Sequence, residues 1–418
     1  MIDINSIKVG WFLGYRQLKR ASLWSNILIV AVMLLTFMNL VAVSGILVGL
    51  IEGSENANRN YYTSDVIVST LKEKDYIENS RDIIANIENL PGVERYSARY
   101  LASGSVEANY KERTNFEDKR QLVGSIIAGI DPIKENQLTQ LSDSIVEGEY
   151  LEPDDYDHVI LGAYLLEKYL PVDSPGFLVL SDVKVGDKIK IKIGENEREV
   201  FVKGIARNKV DEVDRRVFML DSQLRSIVGR DDLNVSEISI QASEDYSPEW
   251  IKDSLEKDGY GSYAKIQTYL DAQPQFLVDI KNTFNLLGTI ISSIGLVVAA
   301  ITVFIVIFIN AITRRKYIGI MKAIGVDGKT LELSYVFQSM VYAITGSVLG
   351  LIMVYGVLVP YVAANPIDFP FSDGILVAPF GLTFMRVAIL LVVTGVAGYL
   401  PARIIIKKNT LDSILGRD

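Results

Sequence analysis

The sequence contains no cysteine, and His158 is its one histidine among 418 residues. Without cysteine the chain has no disulfide, no thiolate ligand for zinc and no catalytic thiol. A single histidine is too few for a histidine-rich metal centre, and it makes a Ser/His/Asp triad hard to assemble. We therefore expect no catalytic site, no metal site and no cofactor in this chain.

Charged residues are also few, and they are unevenly distributed. They make up 22% of the chain, against 49% for hydrophobic residues, and this balance favours a chain that lies partly in lipid. The apolar residues gather in long runs near both ends, whereas the middle of the chain carries most of the charge. Residues 1–26 form an amphipathic segment with four basic residues and no cleavage-site pattern, so we expect the first apolar run to remain as a helix.

Four apolar runs are long enough to cross a bilayer, which requires about 20 residues in a helix. They comprise residues 27–50, 286–312, 335–362 and 376–400. The first two contain no charged residue. The sequence thus predicts a membrane protein with four transmembrane α-helices and a large α+β extracytoplasmic domain inserted between the first and second spans.

Polar and small residues distinguish the last two spans. The third span contains Gly346 and Gly350, which suit close approach of helices in lipid. The fourth contains Arg386, which must snorkel, face protein or lie near the interface. We expect the first of these, an arginine that reaches the head groups.

The basic residues of the short segments predict the orientation in the cell (inner) membrane. Lysine and arginine number four in residues 1–26, five in 313–334 and four in 401–418, whereas the loop 363–375 has none. By the positive-inside rule, both termini and the middle loop face the cytoplasm. The segment 51–285 then lies outside, and its 28 basic and 44 acidic residues give a net charge of −16, which disfavours nucleic acid as a partner.

The extracytoplasmic segment shows helical and strand periods separated by turn signals, which indicates an α+β fold. We predict a porter-like subdomain formed by residues 62–140 and 232–272, with an inserted β-rich subdomain at 145–225. The predicted strands are 65–70, 93–101, 122–130, 158–161, 188–193, 199–205 and 235–241, and the predicted helices are 77–90, 163–170, 247–256 and 271–284. Helical extensions of the flanking spans would make the domain move as a unit when the spans tilt.

His158 lies next to Asp155 and Asp157 in the sequence. One histidine with acidic neighbours in a loop is typical of a solvated surface, and we interpret it so in preference to a metal site.

The cytoplasmic loop contains a sequence that resembles a phosphate-binding loop. The residues from Ala323 to Thr330 (AIGVDGKT) satisfy the relaxed form of that motif. The motif requires a preceding strand and a following helix within an α/β domain, but the segment 313–334 has only 22 residues between two spans. We therefore expect no nucleotide to bind here.

The same loop predicts a short amphipathic helix. Ile318, Ile320, Met321 and Ile324 can form one apolar face, followed by a turn at 325–328. Such a helix can insert into a groove on a cytoplasmic partner. The alternative is a helix that lies on lipid head groups, which the same pattern would suit.

The stretch RRKYIGIMKAIGVDGKTLELSYVFQSM, residues 314–340, resembles the coupling segment of FtsX/MacB-type (type VII) ABC transporter permeases. Tyr317 stands where that family usually has an acidic residue. The tail 398–414 resembles the family's terminal segment, with Thr410 in place of a proline. The resemblance assigns the ATPase-coupling role to Arg314, Arg315, Ile318, Gly319, Ile320, Ala323, Ile324 and Gly325.

The resemblance implies a permease subunit related to lipoprotein-releasing and macrolide-export permeases. It implies a homodimer or heterodimer of permeases bound to cytoplasmic ABC ATPase subunits, which would carry the ATP and Mg. Hydrolysis would move the extracytoplasmic domain for export or extraction of a lipoprotein, drug, peptide or other amphipathic molecule.

Two other functions remain open at this point. In the first, the chain is a mechanotransmission subunit that regulates an extracytoplasmic protein partner, such as a cell-wall hydrolase, without transport. In the second it is a membrane-bound enzyme, which is the least supported reading because the sequence lacks a nucleophile and base constellation.

Overall fold

A computed structural model of the chain describes residues 4–110, 121–170, 178–365, 368–369, 372–373 and 376–407. The chain divides into two compact units. The membrane unit comprises Met1–Ile51, Asp279–Ile367 and Asp373–Asp418, and the large domain comprises Glu52–Val278 and Asp368–Ser372. The terminal motif that resembles the family around Thr410 lies outside the described residues.

The helices of the described residues occur in both units. In chain order they are α1 (Ile4–Arg20), α2 (Leu23–Asn58), α3 (Ser80–Asn89), α4 (Pro132–Thr139), α5 (Asp211–Asp214), α6 (Asp221–Val228), α7 (Pro248–Lys257), α8 (Gln275–Thr313), α9 (Arg315–Ala323), α10 (Gly328–Met353), α11 (Val359–Ala364) and α12 (Phe380–Ile406). A π-helical turn, Arg59–Thr63, follows α2, and another, Val354–Leu358, joins α10 to α11.

Within the described part of the chain, four helical stretches are long and apolar enough to cross a membrane: Leu23–Thr63, Gln275–Thr313, Gly328–Ala364 and Phe380–Ile406. Each of them overlaps one predicted span. The first three are much longer than the corresponding run of apolar residues, since polar residues extend each helix beyond its apolar run.

Two segments predicted as loop and tail are helical in the structure. α10 begins at Gly328 and not at 335, because Thr330, Leu331 and Ser334 are buried and pack as part of the helix. α12 continues through Pro401 to Ile406, where Ala402, Ile405 and Ile406 are buried in the core of the membrane unit. Polar residues and Pro401 at these helix ends interrupt the apolar pattern, so hydropathy does not predict helix there. The buried residues nevertheless pack as part of each helix.

Small residues allow the membrane helices to approach closely, as the sequence predicted for the third span. A Cβ placed on Gly346 would lie 2.4 Å from the Cβ of Met33, and one on Gly350 would lie 2.2 Å from Phe37. Both contacts join α10 to α2, whose Met33 and Phe37 are fully buried. Close packing of helices without large side chains is the usual source of association in lipid.

The large domain is built on a mainly antiparallel sheet. The strands of the described residues are β1 (Val66–Thr70), β2 (Val93–Ala108), β3 (Gln121–Ile130), β4 (Ile145–Gly148), β5 (His158–Gly162), β6 (Lys188–Ile193), β7 (Asn196–Ala206), β8 (Arg216–Leu220), β9 (Glu237–Ala242), β10 (Ala264–Thr268), β11 (Asp368–Phe369) and β12 (Ser372–Asp373). The sheet order is β10-β1-β9-β2-β3-β8-β5-β7-β4, and β6 pairs with both β2 and β7. β11 and β12 pair only with each other.

One long strand, β2, belongs to two hydrophobic cores. From Val93 to Arg99 it pairs with β9, and from Tyr100 to Ala108 it pairs with β3. One core, which we call the flanking core, includes Val66, Val68, Ile83, Ile87, Ile238, Ile240 and Ile251. The second core includes Tyr100, Val106, Ile127, Val159, Ile191, Val202 and Val217. The packing therefore differs from the predicted division at 140 and 145, because β3 shares a core with the strands of the insert.

Every strand predicted for the large domain overlaps an observed strand, but the predicted helix 163–170 is replaced by two 3-10 turns, Ala163–Leu165 and Glu167–Tyr169. Four consecutive residues, Ala163 to Leu166, are buried there. A stretch buried on all sides has no polar face, so its apolar residues do not form an amphipathic helix.

Candidate functional site

The short segment between the second and third long helices forms the helix α9. The helix α8 ends at Thr313 before this segment, and α10 begins at Gly328 after it. A helix therefore precedes the GKT sequence, and no strand lies within the described residues 275–365. The structural context that a phosphate-binding loop requires is missing from this part of the chain.

The end of α9 is fixed by a glycine in the left-handed conformation. Gly325 has φ +97°, and its N–H donates to the carbonyl oxygen of Lys322 at 3.1 Å. The N–H of Val326 donates to the carbonyl oxygen of Met321 at 3.0 Å. These two bonds form a Schellman motif, which ends a helix at a residue that is usually glycine. A Cβ on Gly325 would meet no atom within 4 Å, so the backbone conformation and not lack of space calls for glycine.

One side of α9 is anchored in the membrane unit. Ile318 is buried in the main core of that unit, and Met321 and Val326 pack against the same core. The Nζ of Lys322 donates to the carbonyl oxygen of Ile406 at 2.9 Å, which ties α9 to the last residue of α12. The helix is thus held in place by packing and by one charged hydrogen bond.

The other side of α9 carries three exposed apolar side chains. Tyr317, Ile320 and Ile324 are 67%, 41% and 75% exposed, and their spacing of three and four residues places them on one side of a helix. We call these three residues the α9 ridge. The prediction that Ile318, Ile320, Met321 and Ile324 form a single apolar face was wrong. Ile318 and Met321 pack against the membrane unit, whereas Ile320 and Ile324 are exposed on the other side of α9.

The remaining residues assigned to coupling lie around this ridge. Arg314 and Arg315 are half-buried at the start of α9, Gly319 is buried, and Ala323 and Gly325 are exposed at its end. The segment 313–334 contains five basic residues and two acidic ones. An apolar ridge with a basic surround is suited to docking a protein surface.

The first helix, α1, packs along α10 through two glycines. A Cβ on Gly10 would lie 3.2 Å from Leu333 Cβ, and one on Gly14 would lie 2.7 Å from the carbonyl oxygen of Ser334. The ring of Trp11 stands edge-on to that of Phe337, with centroids 5.4 Å apart. This contact connects the amphipathic N-terminal segment to the helix that follows α9.

A second notable arrangement is a cluster of buried charges in the large domain. Arg99 on β2 donates from Nη2 and Nε to the carboxylate of Glu135 on α4, at 2.8 and 2.9 Å. Arg216 on β8 donates from Nη1 and Nη2 to the carboxylate of Glu237 on β9, at 2.9 and 3.0 Å. Arg99 also lies 3.5 Å from Glu237, so the two pairs are connected. The four side chains are 9% exposed or less, and their charges sum to zero.

This ion cluster holds the π-helical turn that follows α2. The hydroxyl of Tyr62, in the turn Arg59–Thr63, donates to Glu237 at 2.8 Å, and the Arg216 guanidinium lies 4.9 Å from the centre of its ring. Arg99 Nη2 donates to the carbonyl oxygen of Tyr62 at 3.1 Å. Nearby, Arg59 Nε donates to Asp65 at 2.7 Å. Side-chain and backbone bonds together thus fix the turn against β2, β8 and β9.

The charged forms of Arg99, Arg216 and Glu237 are stabilised by one another's charges. Burial alone would raise the pKa of Glu237, but the neighbouring Arg216 and Arg99 outweigh it and lower that pKa to about 2. Burial would lower the pKa of Arg99 and of Arg216, and the attached carboxylates raise both instead. Sequence analysis did not identify this cluster, since its members lie far apart in the sequence, three on strands and Glu135 on α4.

His158 makes ordinary surface contacts. Its Nδ1 lies 2.9 Å from the carbonyl oxygen of Tyr156. Asp155 pairs with Lys203 at 2.5 Å, and Asp157 pairs with Arg198 at 2.8 Å. Among the described residues, no group of three or more His, Asp or Glu side chains is arranged to hold a metal ion.

Comparison with known families identifies the part of the chain that contains α9. Residues 289–410 match the family model described as FtsX-like permease C-terminal. Within this segment, which is less than half of the chain, the protein is similar to FtsX-like permeases. The matched segment begins within α8 and includes α9, α10 and α12.

Curated relatives of this chain are similar over part of their length. An uncharacterized ABC transporter permease of Methanocaldococcus jannaschii is 23% identical over 65% of each chain. The ABC transporter permease YtrF of Bacillus subtilis is 27% identical over 42% of each chain. The macrolide export ATP-binding/permease protein MacB of Bdellovibrio bacteriovorus is 26% identical over 41% of this chain and 28% of its own. The chain thus spans less than two thirds of the length of these relatives.

Solved structures of isolated domains also match. The periplasmic region of MacB from Actinobacillus actinomycetemcomitans is 13% identical, covers 51% of this chain and 92% of its own, and has a TM-score of 0.35. The extracellular domain of the ABC-type transporter YknZ from Gram-positive bacteria is 14% identical, covers 49% and 98%, and has a TM-score of 0.30.

Proposed function

We propose that this chain is an ABC transporter permease that couples ATP hydrolysis on a separate cytoplasmic ABC ATPase to movement of its large domain, for export or extraction of an amphipathic substrate. The observation that carries the proposal is the α9 ridge. Three apolar side chains are held outward on a helix that is fixed to the membrane unit by Ile318 and by the bond from Lys322 to Ile406. A rigid helix with an exposed apolar side suits insertion into a groove on a partner.

The coupling role of Arg314 and Arg315 belongs to this proposal. In it, both termini and α9 face the cytoplasm, as the positive-inside rule predicts, and the large domain is extracytoplasmic. ATP and Mg would bind the ATPase and not this chain. A second permease copy, identical or related, would complete the assembly with a second ATPase subunit.

The ion cluster supplies a physical route for the movement. A displacement of α2 would carry the turn Arg59–Thr63, whose Tyr62 is bound by Glu237, Arg216 and Arg99. Hydrogen bonds to charged groups are among the stronger ones in proteins, at about 1.5–3 kcal/mol each, so the turn and the sheet would move together. The same linkage would serve a mechanotransmission subunit that acts on an extracytoplasmic enzyme.

Co-purification with the candidate ATPase, followed by ATP hydrolysis measurements, tests the docking surface. We expect Ile320→Asp/Ile324→Asp to dissociate the complex or to uncouple hydrolysis, because two carboxylates would replace the centre of an apolar contact. The matched control is Leu233→Asp/Leu270→Asp, which places the same charges on two exposed apolar residues of the large domain. The control should behave as the wild type.

If neither pair of substitutions changes the complex, the α9 ridge is not the docking surface. If the chain binds no ATPase at all, the proposed function is wrong. Binding of the large domain to an enzyme, with no transfer of any amphipathic molecule, would favour mechanotransmission.

A further inference from the structure

The membrane unit contains a cavity of about 550 Å³ between α2, α8 and α12. Its lining is mixed, with apolar residues such as Leu47, Leu296 and Ile389 beside Ser44, Ser292 and Arg386. A cavity of this size is within the range that small-molecule and cofactor sites occupy, roughly 300–1,000 Å³.

Arg386 contributes a cation that the spans cannot neutralise. It is the one charged residue in all four predicted spans, which contain no aspartate or glutamate. Its Nη2 donates to the hydroxyl of Ser44, a neutral partner. Its Nη1 is buried and has no hydrogen-bond partner among the described residues. The guanidinium is thus half-buried against α2, and its reach to the head groups stays a prediction.

An unpaired cation within a bilayer is unfavourable, and such residues usually face a partner or a water-filled cavity. A second copy of this chain would bring no acidic residue in its own spans, because the spans have none. A molecule that enters the cavity can supply the missing negative charge. The apolar lining around Arg386 suits a molecule that also carries a hydrocarbon chain.

We propose that this cavity binds an amphipathic molecule with a phosphate or carboxylate head group, whose charge pairs with the Arg386 guanidinium. Arg386 lies six residues after the first residue of α12, about 9 Å along the helix at 1.5 Å per residue. The head group would thus be bound a short distance inside the membrane boundary. The inference deepens the proposed function by naming a ligand class, but binding itself requires no ATPase.

The test is a binding titration of the full chain in detergent micelles, monitored by native mass spectrometry. The probes are phosphatidylglycerol, palmitate, the zwitterionic phosphatidylcholine and inorganic phosphate. We expect the two anionic amphiphiles to bind at least tenfold more tightly than the other two, since each of those lacks either the net charge or the hydrocarbon chain. Arg386→Gln should weaken binding of phosphatidylglycerol and palmitate about tenfold or more, as expected for loss of a charged hydrogen bond.

Arg403→Gln is the matched control, because it removes the same charge from the same helix at a residue that does not line the cavity. Ser292→Leu provides a second variant, which fills the cavity without removing a charge and should reduce binding of both anionic amphiphiles. Arg386→Lys retains the charge and should retain most of the binding, so it separates a folding defect from loss of the site.

Unchanged affinity in Arg386→Gln, or equal affinity for phosphatidylcholine and phosphatidylglycerol, would overturn the proposal. Equal binding of inorganic phosphate would show that the site takes a free anion and not an amphiphile. The Ile320→Asp/Ile324→Asp variant should bind the probes as the wild type does, so a failure of ATPase docking and a failure of this site give different results.

Discussion

Replacement of Glu237 by glutamine tests whether the buried ion cluster holds the large domain together. The substitution retains the size of the side chain and removes its charge. Arg99 would keep Glu135 as its partner, but Arg216 would lose the only carboxylate with which it forms a described ion pair. A buried arginine would then be left without a counter-charge.

Removal of one partner from a buried ion pair typically destabilises a protein by about 3–5 kcal/mol. Arg216 and Glu237 are at most 9% exposed, and two hydrogen bonds of 2.9 and 3.0 Å join them, so the full range applies. Each 1.4 kcal/mol corresponds to about a tenfold change in an equilibrium constant. Opening of β8 and β9 should thus become roughly a hundredfold to a few thousandfold more frequent.

Hydrogen exchange of the full chain, measured by mass spectrometry on peptides that contain β8 and β9, reports this opening. Glu78→Gln is the matched control, since Glu78 forms an exposed ion pair with Lys74 and should change exchange little. The double variant Arg216→Met/Glu237→Leu should recover much of the protection, because it removes both charges together.

Wild-type exchange in Glu237→Gln would refute the reasoning. Faster exchange in Arg216→Met/Glu237→Leu than in Glu237→Gln would also refute it. Such a result would mean that the ion pair stabilises the fold by more than the penalty of leaving one charge unpaired.

Three further predictions follow from particular residues. The pKa of Glu237 is about 2 in the folded chain and near its ordinary value of 4.5 in the unfolded chain. The stability that this carboxylate contributes above pH 4.5 is therefore lost as the pH falls toward 2. That loss is about 3 kcal/mol, and melting temperatures at pH 5 and pH 2 should differ less in Glu237→Gln than in the wild type. Gly325→Ala should strain the Schellman motif by about 1–2 kcal/mol and reduce stimulation of the ATPase, whereas Gly124→Ala should not. Gly346→Val should lower the melting temperature of the full chain in micelles through overpacking of about 1–3 kcal/mol against Met33, and Gly395→Val, which faces open space, serves as its control.

The four spans and most strands could be predicted because their signals are local. An uncharged run such as 27–50 has few alternatives to a membrane helix, and the alternating residues of β6 fit a strand with one buried face. By contrast, β8 was missed. All five of its residues, Arg216 to Leu220, are buried, so no alternation marks it.

The candidate sites were predictable to different degrees. The family resemblance located α9, but its apolar residues could not be divided between the two sides, because Ile318 and Ile324 differ only in what packs against them. Arg99 and Arg216 are distant in sequence from Glu135 and Glu237, and they meet only through the sheet order and the packing of α4 against β2. The environment of Arg386 likewise depends on three helices, two of which carry no charge in their spans.

The sharing of β2 between two cores has a consequence for the construction of chimaeras. An exchange of subdomains at residues 145 and 225 would remove β8, the partner of β3, and leave the outer half of β2 beside a foreign sheet. A graft that preserves the pairing of β3 with β2 and β8 would join donor and host within β2, between Arg99 and Tyr100, and again between β8 and β9. Such hybrids would keep the hydrogen bond to the Tyr62 hydroxyl only if the donor piece carries an arginine in the place of Arg216.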